Sequence, residues 1–143
     1  MKVYISIILV LTLGFACKMT NSEREPLTSD IITSKTKIEF EEEVFDFGQM
    51  TQGEKVSFEF KFENIGDAPL LILSVKPSCG CTVSEDWPDY PIEPGGAGVI
   101  PVEFNSEGKS GHQSKSITLV SNTDPRTTVL MIEGDIIAPE LND

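Results

Sequence analysis

The clearest pattern along the chain is Val56-Ser57-Phe58-Glu59-Phe60-Lys61-Phe62-Glu63, in which apolar and polar residues alternate for four cycles. Successive side chains of a strand point to opposite faces, so this run predicts a strand with one face buried and one in water, as antiparallel sheets permit. Asn64-Ile65-Gly66-Asp67 has turn composition, and Pro69 to Val75 predicts a more uniformly apolar strand running into Lys76-Pro77. Further strands are expected at Ile38 to Phe47, Cys81 to Glu85, Gly98 to Phe104, Ser114 to Ser121 and Thr127 to Ile136. No stretch holds a 3.6-residue period over three turns, which argues against a mainly helical or Rossmann-type domain. About seven short strands joined by Gly, Pro, Asn and Asp turns predict an all-β fold, a single immunoglobulin-like sandwich of two sheets. The domain is expected over residues 37–138, with a short C-terminal tail at 139–143. Its predicted core is Phe45, Phe47, Val56, Phe58, Phe60, Leu71, Leu73, Ile100, Val102, Phe104, Ile117, Leu119 and Leu130.

Residues 1–16 break this pattern. Met1-Lys2 is a minimal positive start, and the uncharged, mostly apolar run from Val3 to Phe15 is shorter than the roughly 20 residues a membrane span needs. It reads as an export signal peptide. Gly14 and Ala16 are small residues at the spacing of ordinary signal cleavage, whereas Cys17 directly after them is what lipoprotein processing uses. An exported chain with three cysteines leaves one odd thiol, and lipid attachment at Cys17 uses it. Residues 17–36 then form the lipidated N-terminus and a flexible tether, rich in Ser, Thr, Asn and Glu, with a reach of roughly 25 Å. The expected location is a bacterial cell envelope, with the chain held to a membrane by its lipid anchor.

The formal net charge is −12, and removing residues 1–16 takes away one lysine and no acid, which leaves −13. Such a surface repels phosphate backbones, so nucleic acid is excluded as a partner. Glu39, Glu41, Glu42 and Glu43 read as a solvated strand face beside Ile38, Phe40 and Val44, since no calcium-loop spacing of aspartate and glycine accompanies them.

The candidate chemistry lies in Ser78-Cys79-Gly80-Cys81-Thr82. In extended backbone Cys79 and Cys81 would project to one face with Gly80 between them. A disulfide there would close a very small ring near the ~6.8 Å limit of Cα separation, so it would be strained and easily reduced unless Gly80 turns the chain. Three roles fit the pair: structural thiols in a binding module, a thiol redox site, or a soft-metal site for copper(I) or zinc. Lys76 is the only nearby cation in sequence to favour a thiolate. For a metal, His112, Met50 and Met131 are the only other candidate donors, and a closed zinc site needs four. Trp87 and Tyr90, in Glu85-Asp86-Trp87-Pro88-Asp89-Tyr90-Pro91, either cap the core or offer aromatic contacts next to the cysteines. No catalytic constellation stands out, and no cofactor is implied.

The order of motifs resembles a known family. Phe45-Asp46-Phe47-Gly48, Asn64-Ile65-Gly66, Pro69-Leu70-Leu71-Ile72, Ser78-Cys79-Gly80-Cys81-Thr82, Pro91-Ile92-Glu93-Pro94-Gly95, Ser121-Asn122-Thr123 and Ile132-Glu133-Gly134 occur in sequence. This is similar to the bacterial domain of unknown function 1573 family, whose hallmark is carried here by Cys79, Gly80 and Cys81. The resemblance implies an exported, often lipid-anchored, immunoglobulin-like domain, similar to domains of ciliary and sperm proteins, and no established activity. Gly95-Gly96-Ala97-Gly98 departs from the family's pattern of a charged or hydroxyl residue among the glycines, and a looser turn is expected there. The function expected is a non-enzymatic binding or scaffolding module for an unknown protein or envelope component, with its contact area near Cys79, Cys81 and Trp87.

Overall fold

The computed structural model describes residues 33–78, 81–83 and 86–138, so the expectations for the leader, Cys17, most of the tether, Cys79, Gly80 and the tail at 139–143 lie outside the described residues. Eight strands are present among those described: β1 Ile38–Phe40, β2 Val44–Thr51, β3 Lys55–Asn64, β4 Ile72–Pro77, β5 Cys81–Val83, β6 Ala97–Asn105, β7 Gly111–Ser121 and β8 Thr127–Ile137. They form two four-stranded sheets, ordered β1-β3-β6-β5 and β2-β8-β7-β4. No helix among the described residues is long and apolar enough to cross a membrane.

The alternating strand behaves as its sequence dictates. β3 pairs antiparallel with β6 from Lys55 opposite Asn105 to Glu63 opposite Ala97, and Phe60 and Phe62 turn inward while Lys61 and Glu63 face water. Phe58 stacks on Phe45 of the other sheet at 3.9 Å between ring centres, and Phe47 meets Phe104 at 5.3 Å. Ile117, Leu119, Leu130 and Ile132 of the second sheet complete one shared core, a β-sandwich-like arrangement.

Parity explains where the observed core differs from the predicted one. The strand expected at 38–47 is divided, because the chain leaves the first sheet where Glu41 N–H donates to Lys61 C=O and joins the second where Glu43 C=O accepts from Met131 N–H. β2 then runs parallel to β8, and a register shift between Asp46 and Gln49 adds a residue at Gly48, whose N–H donates to the Asp46 carboxylate at 2.8 Å. A bulge of this kind exchanges inward and outward positions, so Met50 enters the core where unbroken alternation would place Gln49. In β4 a second shift lies between Ile72 and Ser74. Ile72 is buried and Leu73, assigned to the core, is 36% exposed. A uniformly apolar run carries no parity signal, which is why the sequence misplaces Leu73.

At the end of the sandwich where β3 and β7 finish, two fully enclosed asparagines hold the loops. Asn64 donates from Nδ2 to the carbonyls of Ala68 and Ile92, while its Oδ1 accepts from the Thr36 hydroxyl and the Gly66 N–H. Asn122 accepts from Leu71 N–H and donates to the carbonyls of Ser34 and Pro69. Residues 34–36, expected as the end of the tether, are instead docked on the domain, and Thr36 is buried. Gly66 makes this possible, since a Cβ there would collide with the Thr36 side chain and lie 2.6 Å from Lys37 N. Lys35 also pairs with Asp124 at 2.6 Å, and that hydrogen bond holds the Asp124 carboxyl below its ordinary range. A carboxyl lowered on folding stabilises above its unfolded pKa, so this exposed contact is lost as pH falls through the lowered value.

The glycine-rich turn is tight rather than loose. Glu93 C=O accepts from Gly96 N–H at 2.8 Å, with Pro94 at the position that wants its fixed φ and Gly95 at the one that needs positive φ, here 77°. Gly98 lies beneath the Phe62 ring, which is 2.6 Å from where a Cβ would stand.

Candidate functional site

Of the cysteine motif, Ser78, Cys81 and the backbone of Thr82 are within the described residues. Ser78 is tied to β7 twice: its N–H donates to Ser116 C=O at 2.8 Å and its hydroxyl accepts from Ser116 N–H at 3.1 Å. Cys81 N–H donates back to Ser78 C=O at 3.3 Å, which links the end of β4 in one sheet to the start of β5 in the other. Cys81 sits opposite Phe104 and packs, half-buried, against the core with a free thiol. Burial pushes that thiol above its ordinary range, and the positive charges of Lys115 and Lys109 offset this only in part. These two lysines, not Lys76, are the cations that act on it, and neither is near Cys81 in sequence. Lys109 also stands 5.6 Å over the Phe104 ring, an arrangement invisible until the loop after β6 folds back.

A raised thiol pKa means little thiolate near neutral pH, the reverse of an activated nucleophile. In a Cys17→Ser, Cys79→Ser variant, Cys81 should react with iodoacetamide at pH 8 roughly tenfold more slowly in the folded chain than in urea. Equal rates would show that the thiol is neither shielded nor shifted.

The other proposed donors do not converge on Cys81. His112 lies on the solvent side of β7 with Nδ1 3.3 Å from Asp135, both side chains more than half exposed. Met50 is a core side chain, which removes it as a candidate ligand, and Met131 faces Ser116 and Val44 in the β2-β8-β7 ladder. Among the described residues no three His, Cys, Asp or Glu side chains are grouped to hold a metal ion. Trp87 packs half-buried against the core, so capping is its observed role, while Tyr90 is 61% exposed.

A different feature emerges on the outer face of the first sheet. There an open groove of about 610 Å³ crosses β1, β3 and β6, with Ala97 and Val99 along it and Glu39, Glu41 and Glu63 at its margins, while the Phe40 and Phe62 side chains turn to the core. Glu39 and Glu63 stand directly opposite each other across the β1–β3 pair. Lys61 lies 3.9 Å from Glu41, so the groove's one cation is already engaged. Glu39 and Glu41 were legible as a wet face, but Glu63 joins them only through pairing of strands more than twenty residues apart.

Residues 38–136 match a family described as a protein of unknown function, DUF1573. The chain belongs to the DUF1573 family. Among solved structures, this DUF1573 chain resembles a protein of unknown function from Porphyromonas gingivalis W83, with 20% identity and a TM-score of 0.60 over 73% of this chain and 48% of that one. It therefore spans about half the length of that protein. It also resembles the ASH / PapD-like domain 7 of human CEP192, with 17% identity and a TM-score of 0.55 over 74% of this chain and 89% of that one. The VesB protease of Vibrio cholerae is similar over 72% of the DUF1573 chain and 32% of its own, at 14% identity and a TM-score of 0.56. At these identities the likeness is one of fold. No curated protein matches the DUF1573 chain.

Proposed function

We propose that this is an exported envelope protein, lipid-anchored through Cys17, whose single immunoglobulin-like domain is a non-enzymatic binding module. If β1 and β2 are the two parts of a first strand, the sheet orders β1-β3-β6-β5 and β2-β8-β7-β4 correspond to the A-B-E-D and A′-G-F-C orders of immunoglobulin domains, which supports that type. The apolar leader from Val3 to Phe15 ahead of Cys17, and the odd cysteine count, support export and lipid attachment.

The observation that carries the binding reading is the open groove on the first sheet, where Ala97 and Val99 meet water between Glu39, Glu63 and Lys61. The contact area is placed there rather than at Cys81 and Trp87, because those two side chains are already occupied by the core. Raised by burial, the Cys81 thiol gives no support to a redox or soft-metal role.

Two measurements test this. The full chain should fractionate with membranes and Cys17→Ser should release it to the soluble fraction. A photo-crosslinking residue at position 99 should trap one discrete partner from envelope extracts, whereas the same residue at position 133, on the second sheet, should not. Equal or absent crosslinking at the two positions would reject the groove as the contact area.

A further inference from the structure

Resting on that reading, we infer that the groove's occupant is a cationic, extended segment of a partner protein. It would set lysine or arginine side chains on Glu39 and Glu63 and their aliphatic carbons on Ala97 and Val99.

The argument begins with a cost that the fold leaves unanswered. Residues directly opposite in an antiparallel pair have Cβ atoms about 5 Å apart, and like charges there are destabilising. Glu39 and Glu63 are such a pair, and among the described residues neither has a cationic partner. The same strands show that the chain can place countercharges on this face, since Lys61 approaches Glu41 and Lys55 meets Glu103 at 3.0 Å. At the Glu39–Glu63 pair the next position across the sheet is Ala97, small and uncharged, which leaves space above the two carboxylates.

The floor narrows the choice of cation. Val99 is only partly covered and Ala97 is exposed, and the groove is open along its length. A bare hydrated metal ion would leave that apolar surface wet, whereas lysine and arginine carry a charged head on an aliphatic stem that covers it. Two carboxylates on neighbouring strands suit two cationic residues spaced along one extended segment, because alternate side chains of a strand share a face. Phosphate-bearing and anionic lipid partners are repelled by the same charges.

The test uses the full chain and fluorescence anisotropy with labelled acetyl-Lys-Val-Lys-Val-Lys-amide and its Gln-Val-Gln-Val-Gln counterpart. The lysine peptide should bind, more weakly as salt rises, and the glutamine peptide should bind at least tenfold less well. Replacing Glu39→Gln with Glu63→Gln should weaken the lysine peptide about tenfold, the sum of two exposed charge contacts. The control Asp67→Asn with Glu107→Gln makes the same change in net charge away from the groove and should leave binding unaltered. Equal loss in the control would overturn the inference, since diffuse attraction to an acidic protein would then explain everything. Equal binding of both peptides, abolished by Val99→Asp, would overturn the cationic occupant while the groove survives as a contact area. Binding of neither peptide would overturn both. Unchanged melting of the Gln variants shows that the comparison is between folded proteins.

Discussion

Replacing Phe60→Ala should destabilise the domain by about 3–5 kcal/mol. Phe60 is fully enclosed at the middle of β3, and its ring meets the Phe58 ring edge-on at 4.9 Å. Phe58 in turn stacks on Phe45, so the ring at position 60 supports the aromatic contact that joins the two sheets. Alanine would leave a cavity bounded by strands whose ladders fix their spacing, with little room to collapse. For a domain of this size each kcal/mol corresponds to roughly 4–8 °C, so the melting temperature should fall by roughly 15–30 °C. Urea unfolding should show a lower midpoint with an unchanged slope, and the same change at partly buried Phe58 should cost less. A fall of only a few degrees at Phe60 would show that the inward face of β3 is assigned wrongly.

That prediction was already implicit in the alternation of residues 56–63, because parity along an unbroken strand needs no knowledge of its neighbours. The same logic placed Ile100, Val102 and Phe104 on β6 and Ile117 and Leu119 on β7 correctly. It failed wherever parity is reset. Gly48 inserts a residue that only pairing with β8 makes visible, and so Met50, which reads from the sequence as a spare donor, is a core side chain. Parallel pairing of β2 with β8 depends on a crossing between sheets at Glu41 to Glu43, which three consecutive carboxylates do not announce.

The candidate site was legible in a similarly uneven way. Trp87 as a core cap follows from composition and loop position, whereas His112 is exposed as expected but stands on β7 rather than in a loop. The effect of Lys115 and Lys109 on Cys81 does not, since all three come from different strands or loops. Glu63 and Glu39 belong to strands that each read as having one wet face, and their opposition is a property of register alone. Charge patterns across strands are therefore the part of a surface that a single sequence hides most completely.

The motif Asn64-Ile65-Gly66 reads as a turn, yet the expected cost of Asn64→Ala is about 3–4 kcal/mol, as large as that of a core phenylalanine. The loss removes four hydrogen bonds at once and leaves the carbonyls of Ala68 and Ile92, the Thr36 hydroxyl and the Gly66 N–H without this partner. Buried polar groups stripped of partners retain their full desolvation penalty, which outweighs the small net gain of an ordinary hydrogen bond. Asn64→Asp separates shape from donor chemistry. Its volume is nearly the same, but it has no N–H₂ to give, and burial should raise its carboxyl pKa in the folded state. A carboxyl raised on folding stabilises least when ionised, so this variant should lose stability relative to the parent as pH rises above about 4. Asn122→Ala should also destabilise, and combining it with Asn64→Ala should cost less than the sum, because both asparagines hold the segment from Ser34 to Thr36. Additive losses, or an Asp variant whose stability follows the parent across pH, would show that the two asparagines act separately and that the segment leading in from the N-terminus is not held by them together.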